Sequence, residues 1–309
     1  MNPNDRPVIA LTGATGFLGR STLDEALRAG YHVRALTRSA QESVEHVTWV
    51  RGELRDTGSL SELTRGAEAI VHVAGVVNAP DAAGFEIGNV TGTLNLIETA
   101  VIKGIARFVY VSSLSAREPQ LSAYGASKAR AEKLVMASPL DWTIVRPPAI
   151  YGPRDKEMFE LFRAARWGVV PVPRHGRASM IHVEDLARLL VALVTARGEG
   201  VTGCTLEPDD GKPEGWEHGE MARAIGIAVG KRIWAPGLSR GALMAVAKAD
   251  HFLRGDKAKM TSDRAAYFSH PDWVVGAHAR VPEAIWQPRI ATTDGLRATA
   301  EWYMAEGWL

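Results

Sequence analysis

Residues 8–19 read Val-Ile-Ala-Leu-Thr-Gly-Ala-Thr-Gly-Phe-Leu-Gly, a short apolar run that breaks into three spaced glycines and then into a helical pattern. No other feature constrains the chain as tightly. Gly13 permits a tight turn off the strand, Gly16 lets the backbone approach a pyrophosphate, and Gly19 lets the new helix pack closely on that strand. The helix opened at Phe17 then offers unpaired N–H groups at its positive end, which suit phosphate. Glycines alone are weak evidence. Strand, glycines and helix in this order are what a dinucleotide site requires. Gly13, Thr15, Gly16, Phe17, Leu18 and Gly19 are therefore expected at a cofactor's phosphates.

The alternation continues. Val8–Thr12, His32–Thr37, Val47–Arg51, Ala69–Val73, Phe108–Ser112 and Trp142–Arg146 read as strands. Phe17–Ala29, Ser59–Thr64, Ala82–Lys103 and Tyr124–Ser138 read as the helices between them. Such alternation predicts an α/β fold: a doubly wound parallel-sheet Rossmann fold whose ligands bind beyond the carboxyl ends of the strands. After about residue 150 the pattern loosens into a helix over Met158–Trp167, a Pro-rich turn and a strand–helix unit over Ala178–Ala196 that should rejoin the main sheet. Residues 1–152 with 178–206 are expected to bind the cofactor. Residues 153–177 with 207–309 are expected to form a smaller, mostly helical substrate domain. Seven of the nine tryptophans fall after residue 150, supplying apolar surface for that domain's core or for a substrate cleft.

Composition narrows the function. With 36 basic and 35 acidic residues the formal charge is +1, so no global field draws the chain to nucleic acid or anionic lipid, although local patches are open to it. The single cysteine, Cys204, excludes an internal disulfide or a cysteine metal cluster, and no His/Asp/Glu group has metal-ligand spacing. No apolar stretch approaches the roughly 18 residues of a membrane span. The polar start, Met1 to Arg6, is unlike a signal peptide. A cytoplasmic location is expected.

The second strand discriminates between the nicotinamide cofactors. An NAD site places an acid at its end to hold the ribose hydroxyls, and that acid repels a 2′-phosphate. Here the slot holds Thr37, and Arg38 follows with a guanidinium suited to phosphate, which predicts NADP in preference to NAD. Tyr124-Gly125-Ala126-Ser127-Lys128 puts a phenol and an ammonium on one helix face. The ammonium is expected to lower the phenol's pKa and ready it for proton exchange with an alcohol or carbonyl. Val111-Ser112-Ser113 ends the fifth strand at the ligand edge, where a hydroxyl can bond the same oxygen.

Glycine loop, strand-end serine and Tyr-x-x-x-Lys in this order resemble the short-chain dehydrogenase/reductase family. The extended branch, with its epimerases and dihydroflavonol-type reductases, fits best. Val71-His72-Val73-Ala74-Gly75, Asn89-Val90-Thr91-Gly92-Thr93, Arg146-Pro147-Pro148-Ala149-Ile150-Tyr151-Gly152-Pro153 and Ile181-His182-Val183-Glu184-Asp185-Leu186-Ala187 resemble further motifs of that branch. The resemblance implies Tyr124 as acid/base, Lys128 on the nicotinamide ribose, and Ser113 polarising the carbonyl. It implies cofactor contacts from Glu53 and Leu54, where the family usually reads Gly-Asp-Leu, and from Val73, Ala74, Gly75, Val111, Ser112, Pro147 and Ile150. Val76, Leu114, Ser115 and Tyr151 are the substrate-side candidates. His72 and His182 lie in structural motifs and are read as packing residues. Family members often pair as homodimers through the helix that carries Tyr-Lys and the one before it.

Three activities compete: an NADP-dependent carbonyl reductase or alcohol dehydrogenase, a nucleotide-sugar epimerase or dehydratase, and a non-catalytic NADP-binding redox sensor or assembly subunit. The last normally lacks the tyrosine and lysine. Dehydratases add an Asp-Glu pair after the hydroxyl, where this chain has Leu114-Ser115-Ala116. Epimerases usually carry an acid at the second strand and Val-Tyr-Gly after the serine, and both are missing. A small, apolar ketone, aldehyde or secondary alcohol is the expected substrate.

Overall fold

A computed structural model describes residues 6–79, 81–255 and 261–309. Seven parallel strands form the central sheet: β1 (Val8–Thr12), β2 (His32–Thr37), β3 (Val47–Arg51), β4 (Ala69–His72), β5 (Arg107–Val111), β6 (Asp141–Val145) and β7 (Cys204–Leu206). Their order is β7-β6-β5-β4-β1-β2-β3. The order reverses between β1 and β4, so a crevice opens there beyond the strand ends.

Side chains alternate across the strands, and both faces are covered, so the strands are apolar on both sides. Ile9, Leu11, Val33, Val71 and Val109 pack with α1 (Phe17–Arg28) and with Leu186, Leu189 and Leu190 of a later helix. Ala10, Ile70, Phe108, Tyr110 and Ile144 meet Leu60 of α2 (Thr57–Leu63), Leu96 of α3 (Gly92–Lys103) and Val135 of α4 (Ala123–Ala137). The helix expected over Ala82–Lys103 is not uniform. A single turn, Ala82–Phe85, passes into a π-helical segment, Glu86–Thr91, before α3 begins.

After α5 (Phe159–Arg166) the chain departs from expectation. Met180–His182 does not rejoin the main sheet. It runs parallel to Ala149–Tyr151, while Arg177–Ala178 pairs with Trp216–Glu217 and Asp272–Trp273. The place beside β6 belongs to β7, reached through α6 (Val183–Thr195), which packs on α1. Then α7 (His218–Ala228), α8 (Arg240–Arg254), α9 (Ser262–Phe268) and α10 (Thr292–Ala305) complete the smaller lobe. Phe162, Trp216, Ile225, Leu296 and Tyr303 form its core, and α8 meets α9 over Leu243, Ala247 and Ala265. Before α10 the chain returns to α6. Trp286 Nε1 donates to Asp185 O (2.9 Å), and the Arg289 and Ile290 N–H groups donate to Asp185 Oδ2 (3.0 Å each). Trp286 is thereby buried in the core under the central sheet.

Candidate active site

The glycine turn is as tight as its sequence demands. Gly13 has φ +76°, and a Cβ there would lie 2.7 Å from Ala74 N; one on Gly19 would lie 1.9 Å from Gly13 O. Gly16 N–H closes the turn onto Gly13 O (2.9 Å), and no side chain caps α1. Its first N–H groups are left to a ligand. Thr15 and Gly16 are exposed, whereas Leu18 is buried and turns its side chain into the core. The turn fits a pyrophosphate, since side chains are excluded where phosphate oxygens would sit.

Val73, Ala74 and Gly75 form the opposite lip. A chain of bonds fixes it: Ala74 N–H donates to Thr12 Oγ1 (3.1 Å), the Thr12 hydroxyl to His72 Nδ1 (2.6 Å), His72 Nε2–H to Thr93 Oγ1 (3.0 Å), and the Thr93 hydroxyl to Asn89 O (2.6 Å). Each hydroxyl has one proton, so this direction requires the Nε2–H tautomer. Burial, then the Lys128 charge, pushes His72 down to about 3. It ties strands to α3 as a neutral imidazole and does not titrate near neutral pH. His182 is also buried, edge-on to the Tyr151 ring at 5.3 Å.

At the end of β2 the Thr37 hydroxyl donates to Ser39 O (2.8 Å), which closes a local turn. Arg38 is exposed and forms no salt bridge among the described residues. Glu53 is exposed, and its carbonyl accepts from Asp56 N–H (3.0 Å). Leu54 lies over Gly92, where a Cβ would come within 2.8 Å of its Cδ1.

The catalytic candidates meet where β5 ends beside α4. Ser122 caps α4, accepting from Gly125 N–H (3.0 Å). Gly125 lets the helix approach the 3₁₀ turn Leu114–Arg117, because a Cβ there would lie 2.7 Å from Ser115 O. The buried Lys128 Nζ donates to Val111 O (2.7 Å) and sits 4.6 Å above the Tyr110 ring. Burial lowers its pKa to about 7 against the pull of Glu132. Ser113 Oγ accepts from the Ser115 N–H (3.2 Å) and hydroxyl (2.9 Å), which leaves its own proton to give. The expected lowering of Tyr124 is not what the structure shows. Burial raises the phenol's pKa, and the neighbouring Ser113 hydroxyl acts against it.

Ser112 turns away from this cluster, donating to Glu132 Oε1 (2.5 Å). Arg146 holds the same carboxylate through Nε (2.8 Å) and Nη2 (2.7 Å). Pro147 gives its carbonyl to Leu114 N–H (3.0 Å), and Ile150 pairs with Ile181. Three of the four substrate-side candidates are buried. Leu114 is buried against Trp273 and Val275, Ser115 is buried on Ser113, and Tyr151 is fully buried beneath Gly295. Each is withdrawn from open surface by packing. Of the four, Val76 alone is half-open, and its N–H and C=O are both taken by Asn89 (2.7 and 3.0 Å).

Residues not singled out from sequence also stand near Tyr124. The Phe85 ring lies 6.0 Å away, and Tyr267, stacked on Trp273 at 4.5 Å, is near enough for Tyr124 to raise its pKa further. Asp263 Oδ2 of α9 accepts from Ala123 N–H (2.9 Å), which docks that helix onto α4. Asn89 also donates to Ser127 Oγ (2.9 Å), so it joins the β4 loop to the helix that carries Tyr124 and Lys128.

A family model described as NAD(P)H-binding matches residues 13–197. A ceramide reductase from Caulobacter vibrioides (strain NA1000 / CB15N) is 37% identical over 100% of this chain and 98% of its own length. A 2-alkyl-3-oxoalkanoate reductase from Stenotrophomonas maltophilia (strain K279a) is 28% identical over 66% of this chain and 71% of its own. The solved structure of UDP-glucuronic acid 4-epimerase from Bacillus cereus in complex with NAD shares the fold, with TM-score 0.75 at 16% identity over 97% of this chain and 99% of that one. This chain joins a glycine turn, a β4 lip and a Tyr-Lys helix to a reductase likeness along its full length, and the protein belongs to the extended short-chain dehydrogenase/reductase family as an NAD(P)-dependent oxidoreductase.

Proposed function

We propose that the chain is an NADP-dependent carbonyl reductase, and alcohol dehydrogenase in reverse, acting on an apolar substrate of the ceramide-like lipid class. The surroundings of Tyr124 carry this reading. A serine hydroxyl adjoins the phenol and a lysine lies one helical turn on, while the rings of Phe85 and of Tyr267, itself stacked on Trp273, give the phenol apolar surroundings that suit an apolar substrate better than a sugar diphosphate. The reductase likeness along the whole chain supports the lipid class.

In this reading the open N–H groups at Gly13–Gly19 hold the pyrophosphate, Arg38 the 2′-phosphate, Leu54 and Val73–Gly75 the adenosine side, and Lys128 the nicotinamide ribose. NADPH, when bound, supplies the hydride for the carbonyl carbon. Burial keeps the Tyr124 phenol protonated at neutral pH, so in reduction it gives its proton to the oxygen on which charge grows. Ser113 donates to that same oxygen, and the bond strengthens as the charge develops. Ser115, by feeding both its hydrogens to Ser113 Oγ, turns the Ser113 proton outward. Residues 153–177 and 207–309 hold the substrate. Leu94 and Ile102 of α3 and Met136 of α4 are exposed and support a homodimer through those helices.

The test is NADPH absorbance against apolar ketones and aldehydes, a ceramide-type ketone, and nucleotide sugars. Oxidation of NADPH by the lipid ketone is the expected result. Turnover confined to nucleotide sugars would replace this reading with an epimerase, and cofactor binding with no turnover of any class would leave a binding module.

A further inference from the structure

Two tryptophans of the smaller lobe stand in water. Trp167, just after α5, is 86% exposed, and Trp234, in the loop after α7, is 69% exposed. Soluble surfaces seldom leave rings of this size so open, and a cluster of them marks a contact.

The two belong to one platform. Trp234 N–H donates to Gly168 O (2.8 Å) and Val170 N–H to Trp234 O (3.0 Å), which makes Val169 and Trp234 partners in a parallel bridge. Bridge partners project to the same side, and Val169 is exposed as well. Ile227, near the end of α7, is 77% exposed. Lys231 N–H donates to Gly226 O (2.9 Å), folding the loop back on that helix end, while α5 and α7 pack on each other. Backbone bonds therefore hold the apolar groups together at one end of the lobe.

Charge selects the partner. Arg166, Lys231 and Arg232 adjoin the tryptophans, are exposed, and form no ion pair among the described residues. The neighbouring acid, Glu160, faces Arg163. We propose that this face docks the protein on an anionic lipid bilayer. Indole rings settle at the level of the headgroups, and unpaired lysine and arginine attract anionic lipid. Among the described residues no helix is long and apolar enough to cross a membrane, so the contact is with the surface. A second copy is the poorer occupant, because a two-fold interface here would set the same three cations against their own images. The face stands apart from Tyr124 in sequence and in packing, so the proposal holds on this surface whatever the substrate is.

The experiment is flotation of the full chain with phosphatidylglycerol/phosphatidylcholine vesicles and with pure phosphatidylcholine vesicles, at about 0.15 M salt. The protein should float with the anionic vesicles and be released by added salt. Trp167→Ser with Trp234→Ser should reduce partitioning about tenfold or more, and Lys231→Glu with Arg232→Glu should abolish the anionic preference. All four positions are solvent-facing, so thermal melting and NADPH binding should be unchanged and certify the variants. Wild-type protein that stays in the aqueous fraction, or variants that float equally well, would overturn the proposal. So would a tryptophan variant that turns a dimer into a monomer in light scattering without lipid binding, which assigns the face to a second copy. No turnover is read, so failure of the reductase reading is a separate result.

Discussion

Lys128 is held where its charge is least at home. Burial lowers its pKa from 10.5 to about 7, so the folded chain binds the proton more weakly than the unfolded one. The cost to stability is complete below about pH 7 and fades as pH rises toward 10.5. Lys128→Met should therefore raise the melting temperature of the cofactor-free protein by several degrees at pH 6 and by much less at pH 9. Thermal melts at the two pH values check the sign. Tyr124→Phe keeps the ring and removes the proton. It should lower kcat by roughly 10²–10⁴ while NADPH titrations stay unchanged. With Arg38 on the 2′-phosphate, as proposed, Arg38→Ala should cost about 1.5–3 kcal/mol, so NADPH should weaken about tenfold or more and NADH hardly at all. Fluorescence titration with both cofactors decides it. Tyr124, Lys128 and Ser113 were legible because their spacing along one helix and one strand end places them. Tyr267 and Phe85 were not, since no local period links them to Tyr124. The sign of the Tyr124 shift is not legible for the same reason: burial is tertiary, and a neighbour at i+4 says nothing of it.

Elements transmit these positions. The π-helical segment Glu86–Thr91 puts Asn89 where it can bond Val76 and Ser127 together, and a regular helix would rotate that amide away. The pattern over Ala82–Lys103 announces a helix and hides the irregular turn, because Asn89 acquires its partners only in the folded protein. Six of the main sheet's seven strands are legible almost to the residue, their apolar runs being covered on both faces, but β7, only three residues long, is not. The sheet that takes Met180–His182 is not legible, since three residues of sequence cannot name their neighbour. The approach of α4 to the turn after Ser113 rests on Gly125. Gly125→Ala would force a Cβ against Ser115 O, displacing the Ser113–Ser115 pair. A fall in kcat of about 10–10²-fold with little change in NADPH affinity is expected. Single-turnover kinetics beside cofactor titration separates the two effects.

At the scale of the molecule the two lobes are bound to one another by more than the cleft between them. Asp185 is buried, pairs with Arg188, and collects the Arg289 and Ile290 N–H groups. Asp185→Ala would strand those donors and should cost about 3 kcal/mol or more, read as a lower urea midpoint for the whole chain. The alternation of strands and helices makes the first lobe legible, but nothing in it foretells that a tryptophan from within the second lobe's stretch of sequence fills the first lobe's core. That arrangement has a consequence for synthesis. A ribosome releases β7 long before Trp286, so the nucleotide-binding half must wait, with a vacant slot beside α6, until nearly everything else has been made. A premature stop between β7 and Trp286 should therefore weaken the first half too, and a chain cut after β7 is expected to make a poor free-standing cofactor module.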